Sequence, residues 1–224
     1  MRSLARSGGA QAAEGFFSNF SGTEAVLSEG GIWLTNDALD WTIFKKDNGR
    51  AYATHAGTTD FKDSYAYVNP AVLAFGPNQR VKIVLFKSST PTGFTEYEIL
   101  LRVVTTVSPR TVTLVECNLA KDGQYQEVIG WKGPLGTNGG ADFEFYSSGN
   151  PVSGGVNDGD IFEAQIVGTV VSTFYNGVPH VTVDIAGGIV PHTVGQPGIG
   201  GFTTSGDANE MAKIGMRYFQ ARTL

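Results

Sequence analysis

The chain has 224 residues, among them 30 glycines and 14 phenylalanines, and only 17% are charged; that length suits one large all-β domain, and no stretch is polar enough for a disordered linker. A formal charge of −5 with scattered lysines and arginines gives no basic field for counterion release, which excludes nucleic-acid binding. No apolar run reaches the roughly 18 to 20 residues a spanning helix needs, which excludes insertion into a bilayer by a helix.

Residues 1–14 read as an Ala-, Gly- and Ser-rich arm, and 15–224 as a single domain opening with Phe16, Phe17 and Phe20. The first ten residues carry two arginines with no apolar run behind them, so no secretory signal is expected. An arm of this composition is expected to need a neighbour to order it. A missing signal beside a fold typical of extracellular proteins leads to an expectation of display on a virion or cell surface, as a phage capsid-decoration or fibre protein released by lysis, after a cytoplasmic stage.

Alternating or continuous apolar patterns then predict strands over 39–44, 51–55, 66–75, 80–86, 97–104, 111–117, 125–131, 143–147, 161–167, 170–175, 178–185 and 211–221, and no helix. Asp47-Asn48-Gly49, Gly76-Pro77-Asn78, Asp122-Gly123 and Ser205-Gly206-Asp207 punctuate them as turns. Asn176-Gly177 is the pair that a two-residue type I′ hairpin favours, because both central residues need positive φ. The result is an all-β fold, a two-sheet antiparallel jelly-roll sandwich.

Few side chains carry a chemical signal. Cys117 is the one cysteine, sits in a strand pattern and reads as a small buried hydrophobe. His55, His180 and His192 have no spacing that makes a zinc site. Glu96 and Glu98 share a face of their strand and read as its solvent side, with Tyr97, Ile99 and Leu101 inside. Asn157, Asp158 and Asp160 are a candidate Ca2+ set, the competing account being a turn that uses their side chains for backbone hydrogen bonds. The glycine-rich stretches 133–140 and 149–159 are long enough to be shaped loops. Tyr125, Trp131, Asn138, Tyr146 and Asn150 in or beside them combine aromatic faces with amide groups, which is what a sugar-binding site needs, although core packing explains aromatic residues in strands equally well.

Four segments resemble the concanavalin A-like lectins and glucanases, in particular their laminin-G-like bacterial and phage members. They are the opening stretch 16–41, Leu100-Leu101-Arg102, the hairpin from Asp158-Gly159-Asp160 to Asn176-Gly177-Val178, and Gly195-Gln196-Pro197-Gly198-Ile199-Gly200, which looks like the turn before a closing strand. The resemblance implies the fold more than an activity. Glycoside hydrolases of this fold use Glu-x-Asp-x-Glu on one strand face; the nearest segment here, Gly140-Ala141-Asp142-Phe143-Glu144, lacks the first carboxylate. Gln165-Ile166-Val167 and Arg217-Tyr218-Phe219-Gln220-Ala221 are similar to strands of the related lyases, but Val167 stands where those have His and Gln220 where they have Lys. The expectation is therefore a lectin-like module that binds carbohydrate or surface-protein neighbours, the latter through its arm and as a candidate homo-oligomer. Enzyme action on a polysaccharide is the alternative.

Overall fold

The computed structural model describes residues 15–35, 42–54, 63–107, 110–133, 143–189, 193–204 and 208–224. The arm, His55, His192, Asn138 and Asp142 lie outside them, and with them the expectations that rest on those residues.

Among the described residues two antiparallel sheets make the sandwich. The first contains β1 (Phe16–Ser18), β2 (Thr23–Glu24), β4 (Phe44–Asp47), β5 (Ala51–Ala53), β7 (Gln79–Lys87), β12 (Ile161–Val167), β13 (Val170–Tyr175), β14 (Val178–Asp184) and β16 (Ile214–Thr223). Its order is β14-β13-β12-β7-β16-β5-β4-β2, with β1 also paired to β16. The second contains β3 (Trp33–Leu34), β6 (Ser64–Val68), β8 (Thr95–Val107), β9 (Arg110–Ala120), β10 (Gln126–Gly133), β11 (Phe143–Ser147) and β15 (Gln196–Thr203), in the order β11-β10-β9-β8-β15-β6-β3.

The alternation seen in the sequence fills the space between the sheets. Val81, Ile83 and Leu85 of β7 join Tyr97, Ile99 and Leu101 of β8 and Val115, Cys117 and Leu119 of β9 in one buried cluster. Cys117 is thus the buried hydrophobe expected. The turn between β13 and β14 also forms as expected, with Asn176 and Gly177 both at positive φ between the paired residues Tyr175 and Val178.

Three expectations need correcting, one of them the absence of any helix. The segment read as the turn before a closing strand, Gly195 to Gly200, lies from Gln196 onward in β15, a fully buried interior strand hydrogen-bonded to β6 and β8 on its two sides. Its glycines serve close approach: a Cβ at Gly200 would be driven into the Glu98 carboxylate and would sit 2.8 Å from the Tyr65 ring. The strand expected over 66–75 stops at Val68, where Asn69 accepts from the Ala71 amide and turns the chain. The residues before β16 form one short helix, α1 (Ala208–Met211).

Candidate functional site

The second sheet has a covered outer face as well as a buried inner one. Tyr65, Tyr67, Leu100, Val103, Val112, Leu114, Ile129 and Trp131 form a separate apolar cluster there. Strand register sets acidic groups into it. One row across the sheet runs Tyr65, Gly200, Glu98, Asn118, Glu127, and the next runs Gly198, Leu100, Glu116, Ile129, Phe145. Because side chains on adjacent rows of one face are neighbours, β8, β9 and β10 bring three carboxylates and an amide together.

Glu96 and Glu98 therefore do not lie on a solvent side: Glu98 is 0% exposed and Glu96 7%. Period-two alternation tells which residues share a face but not whether that face is wet, and here the aromatic side chains on neighbouring strands cover it. Asp63, just before β6, and Glu116 are buried beside them, at 5% and 3% exposure.

The hydrogen bonds tie the cluster to its aromatic surround. Glu116 Oε2 accepts from Trp131 Nε1 at 2.8 Å and from Tyr65 Oη at 2.9 Å, while its Oε1 accepts from Asn118 Nδ2 at 3.3 Å. Tyr65 Oη also lies 2.7 Å from Asp63 Oδ2. A phenol has a single proton, so Asp63 and Glu116 are both satisfied by Tyr65 only when one carboxyl carries a proton itself. Tyr125 Oη donates to Glu96 Oε1 at 2.9 Å.

Burial is the main force on these acids and raises them all. It holds Asp63, Glu96 and Glu98 well above the usual carboxylate range, with repulsion from the other carboxylates adding to it. Burial likewise pushes Glu116 up to about 7, against the donors from Tyr65, Trp131 and Asn118. None of the ion pairs among the described residues involves a member of this cluster.

Above the acids is a hollow of ≈ 160 Å³ lined by Asp63, Glu96, Glu116, Asn118 and Glu127 together with Phe94, Trp131, Phe143, Phe145 and Phe202. Phe94 stacks on Tyr125 at 5.3 Å between ring centroids and is 42% exposed; Phe145, on β11 across the hollow, is 52% exposed. A larger hollow of ≈ 560 Å³ lies by Pro77, Arg102, Gly168 and Gly187. Arg102, its one ionisable lining group among the described residues, donates to the carbonyls of Pro77 and Gly168 at 2.6 and 2.7 Å, so the described part of this hollow offers no convergent chemistry and the acidic one is the better candidate.

Of the residues singled out in the sequence, Tyr125 and Trp131 are brought to this hollow. Tyr146 packs instead against the core between the sheets. Asn150 Nδ2 reaches Ser147 Oγ at 2.9 Å and the Gln126 carbonyl at 3.3 Å, the end of β11 and the start of β10. Asp158 receives two bonds from Arg217 Nη2, at 2.8 and 3.0 Å, and the Lys87 amide at 2.9 Å. Asp160 accepts from Tyr175 Oη, from Asn176 Nδ2 at 2.9 Å and from the Asn157 amide at 2.6 Å, which are turn contacts. His180 bonds to Gln126 and to the Pro151 carbonyl. The lyase-like Gln165 and Gln220 belong to β12 and β16 of the other sheet. Asp63, Tyr65, Glu116 and Asn118 escaped sequence reading, since only strand order places them side by side.

No protein-family model and no curated protein matches the sequence. Solved structures do match in shape. A carbohydrate binding module, CBM66 from Bacillus subtilis, aligns over 88% of this chain and 96% of its own at 10% identity with a TM-score of 0.53. The beta-glucanase of Bacillus licheniformis aligns over 96% and 100% at 10% identity with a TM-score of 0.55. The Bacteroides ovatus mixed linkage glucan PUL GH16 protein aligns over 92% and 99% at 10% identity with a TM-score of 0.56. The fold is the concanavalin A-like jelly roll. At these identities the likeness concerns the concanavalin A-like fold alone, and what the chain does has to be argued from its own site.

Proposed function

We propose that this jelly roll binds a glycan on the outer face of its seven-stranded sheet. The observation that carries the reading is the hollow with two exposed aromatic rings, Phe94 and Phe145, on either side of Glu96, Glu116, Asn118 and Glu127. Aromatic rings cover the apolar C–H faces of a pyranose while carboxylates and amides take its hydroxyl groups, and the hollow supplies both. That structures of similar shape include a carbohydrate binding module and glucanases supports the ligand class.

Gel electrophoresis of the full chain through mixed-linkage glucan, beside a glycan array, tests this. Retardation on at least one glycan class is expected, and Phe94→Ala and Phe145→Ala should each weaken it about tenfold, the equivalent of roughly 1.4 kcal/mol. Both rings are exposed, so neither change threatens the fold. Unchanged migration on every glycan overturns the reading.

Hydrolysis of the bound glycan is the second reading, favoured by one carboxylate oxygen from each of Asp63, Glu98 and Glu116 lying within 4.8 Å of the others. Retaining hydrolysis uses two carboxyl groups about 5–5.5 Å apart. New reducing ends in the retained glycan would choose this reading, and their absence with retention intact would leave binding alone.

A further inference from the structure

We propose that Asp63, Glu98 and Glu116 hold a hard divalent cation of the calcium type beneath the hollow. Glu98 carries the inference. It is 0% exposed, and among the described residues neither of its carboxylate oxygens has a hydrogen-bond partner. A buried carboxyl without a partner is costly in either protonation state, because an ionised one lacks donors and a protonated one lacks an acceptor. A cation removes that cost for both oxygens at once.

The geometry fits the ion. Each of the three residues offers one carboxylate oxygen, and the three oxygens lie within 4.8 Å of one another. Oxygens on one Ca2+ at 2.3–2.6 Å can be at most about 4.6–5.2 Å apart, and the set falls within that limit. The donors are all oxygen. Among the described residues no histidine joins them, and Cys117 belongs to the cluster between the sheets, which argues against zinc or another soft metal.

Charge points the same way. The described charged groups that face the cluster are Asp63 before β6, Glu96 and Glu98 from β8, Glu116 from β9 and Glu127 from β10, while β15 contributes Gly198, Gly200 and Phe202 to this face, none of them charged. Every one of these charged groups is acidic. Gly200 is the one residue type that leaves Glu98 its place, since a Cβ there would overlap Oε2. Three carboxylates also leave a six- to eight-coordinate ion with open positions for water or other oxygen ligands.

The test uses the full chain, stripped with EDTA and dialysed, then titrated in a calorimeter with CaCl2, MgCl2 and MnCl2 in turn at neutral pH. Saturable binding of one ion per chain, with a rise in Tm, is expected for Ca2+. Glu98→Gln keeps the shape of the side chain and should weaken that binding at least about tenfold, as loss of a charged ligand does. No saturable heat with any of the three ions overturns the proposal, and so does unchanged affinity in Glu98→Gln.

A second readout stands if the variant does not fold. Trp131 Nε1 lies 2.8 Å from Glu116 Oε2, so Tb3+ in the site should luminesce on excitation of Trp131 in the unaltered chain and lose that signal as Ca2+ displaces it. Absence of sensitised emission counts against the site. Cation binding is measured without sugar, and glycan retention is measured again with chelator present, so the two proposals fail separately.

Discussion

Two acidic residues of this chain show how differently the same functional group can be placed. Glu98 is sealed in with no described partner, whereas Asp158 sits at the surface with a full set of donors. For Asp158 the bidentate bond from Arg217 is the largest influence and holds its carboxyl below the usual value, helped by the Lys87 amide and opposed by slight burial. A group depressed in the folded state contributes stability above its unfolded pKa and loses it as pH falls through the folded one. The Asp158 and Arg217 side chains are 44% and 46% exposed, so solvent screening limits the effect. In urea melts with chelator present, Asp158→Asn should cost about 0.5 kcal/mol at neutral pH. The difference from the parent should shrink as pH falls below the ordinary carboxylate range and through the depressed folded value, and a difference that stays constant over that fall would mean that the side chain acts through packing.

At the scale of the strand, β15 is the element on which the candidate site depends most. Its run Gln196–Thr203 is buried throughout, and Gly200 stands between Tyr65 and Glu98 in the same row. Gly200→Ala would push a methyl group into the Tyr65 ring and the Glu98 carboxylate, an overpacking that typically costs about 1–3 kcal/mol. The expected outcome is a lower Tm together with lost cation binding; a variant that melts early yet binds Ca2+ as before would separate strand stability from the site. This strand is also where the sequence was hardest to read. Glycine and proline at 195, 197, 198, 200 and 201 signal a turn, and only the neighbouring strands reveal that the backbone needs those small residues to pack. Strands farther away were legible because they alternate: β11, β12 and β13 end at the residues where the alternation ends, and Asn176-Gly177 turns as its composition requires. Alternation misled at Glu96 and Glu98 for a physical reason. A sheet covered on both faces still alternates when one covered face holds acids, and those acids come together from β8 and β9 and from Asp63 by register alone.

For the molecule as a whole, the sandwich needs the two sheets joined at their ends as well as packed through their centres. Arg102 makes such a joint. It lies at a register shift in the β8–β9 ladder with a positive φ of 52°, and it is 3% exposed. From there its backbone amide donates to Gln79 Oε1 at 2.9 Å, and its guanidinium donates to the carbonyls of Pro77 and Gly168, which flank β7 and link β12 to β13 in the opposite sheet. A non-glycine residue in this conformation is strained by itself, so the bonds it makes must more than offset the strain. Arg102→Met keeps the stem and the strain but removes the donors, leaving two carbonyls without that partner. A loss of about 2–4 kcal/mol is expected, read as a shift of the urea midpoint with the slope unchanged. The acidic hollow has none of these groups in its lining, so glycan retention and Ca2+ affinity should stay at the parent's level wherever the variant is folded. If affinity fell in step with stability, the joint and the site would belong to one cooperative unit, and the separation drawn here between what holds the sandwich and what it binds would not stand.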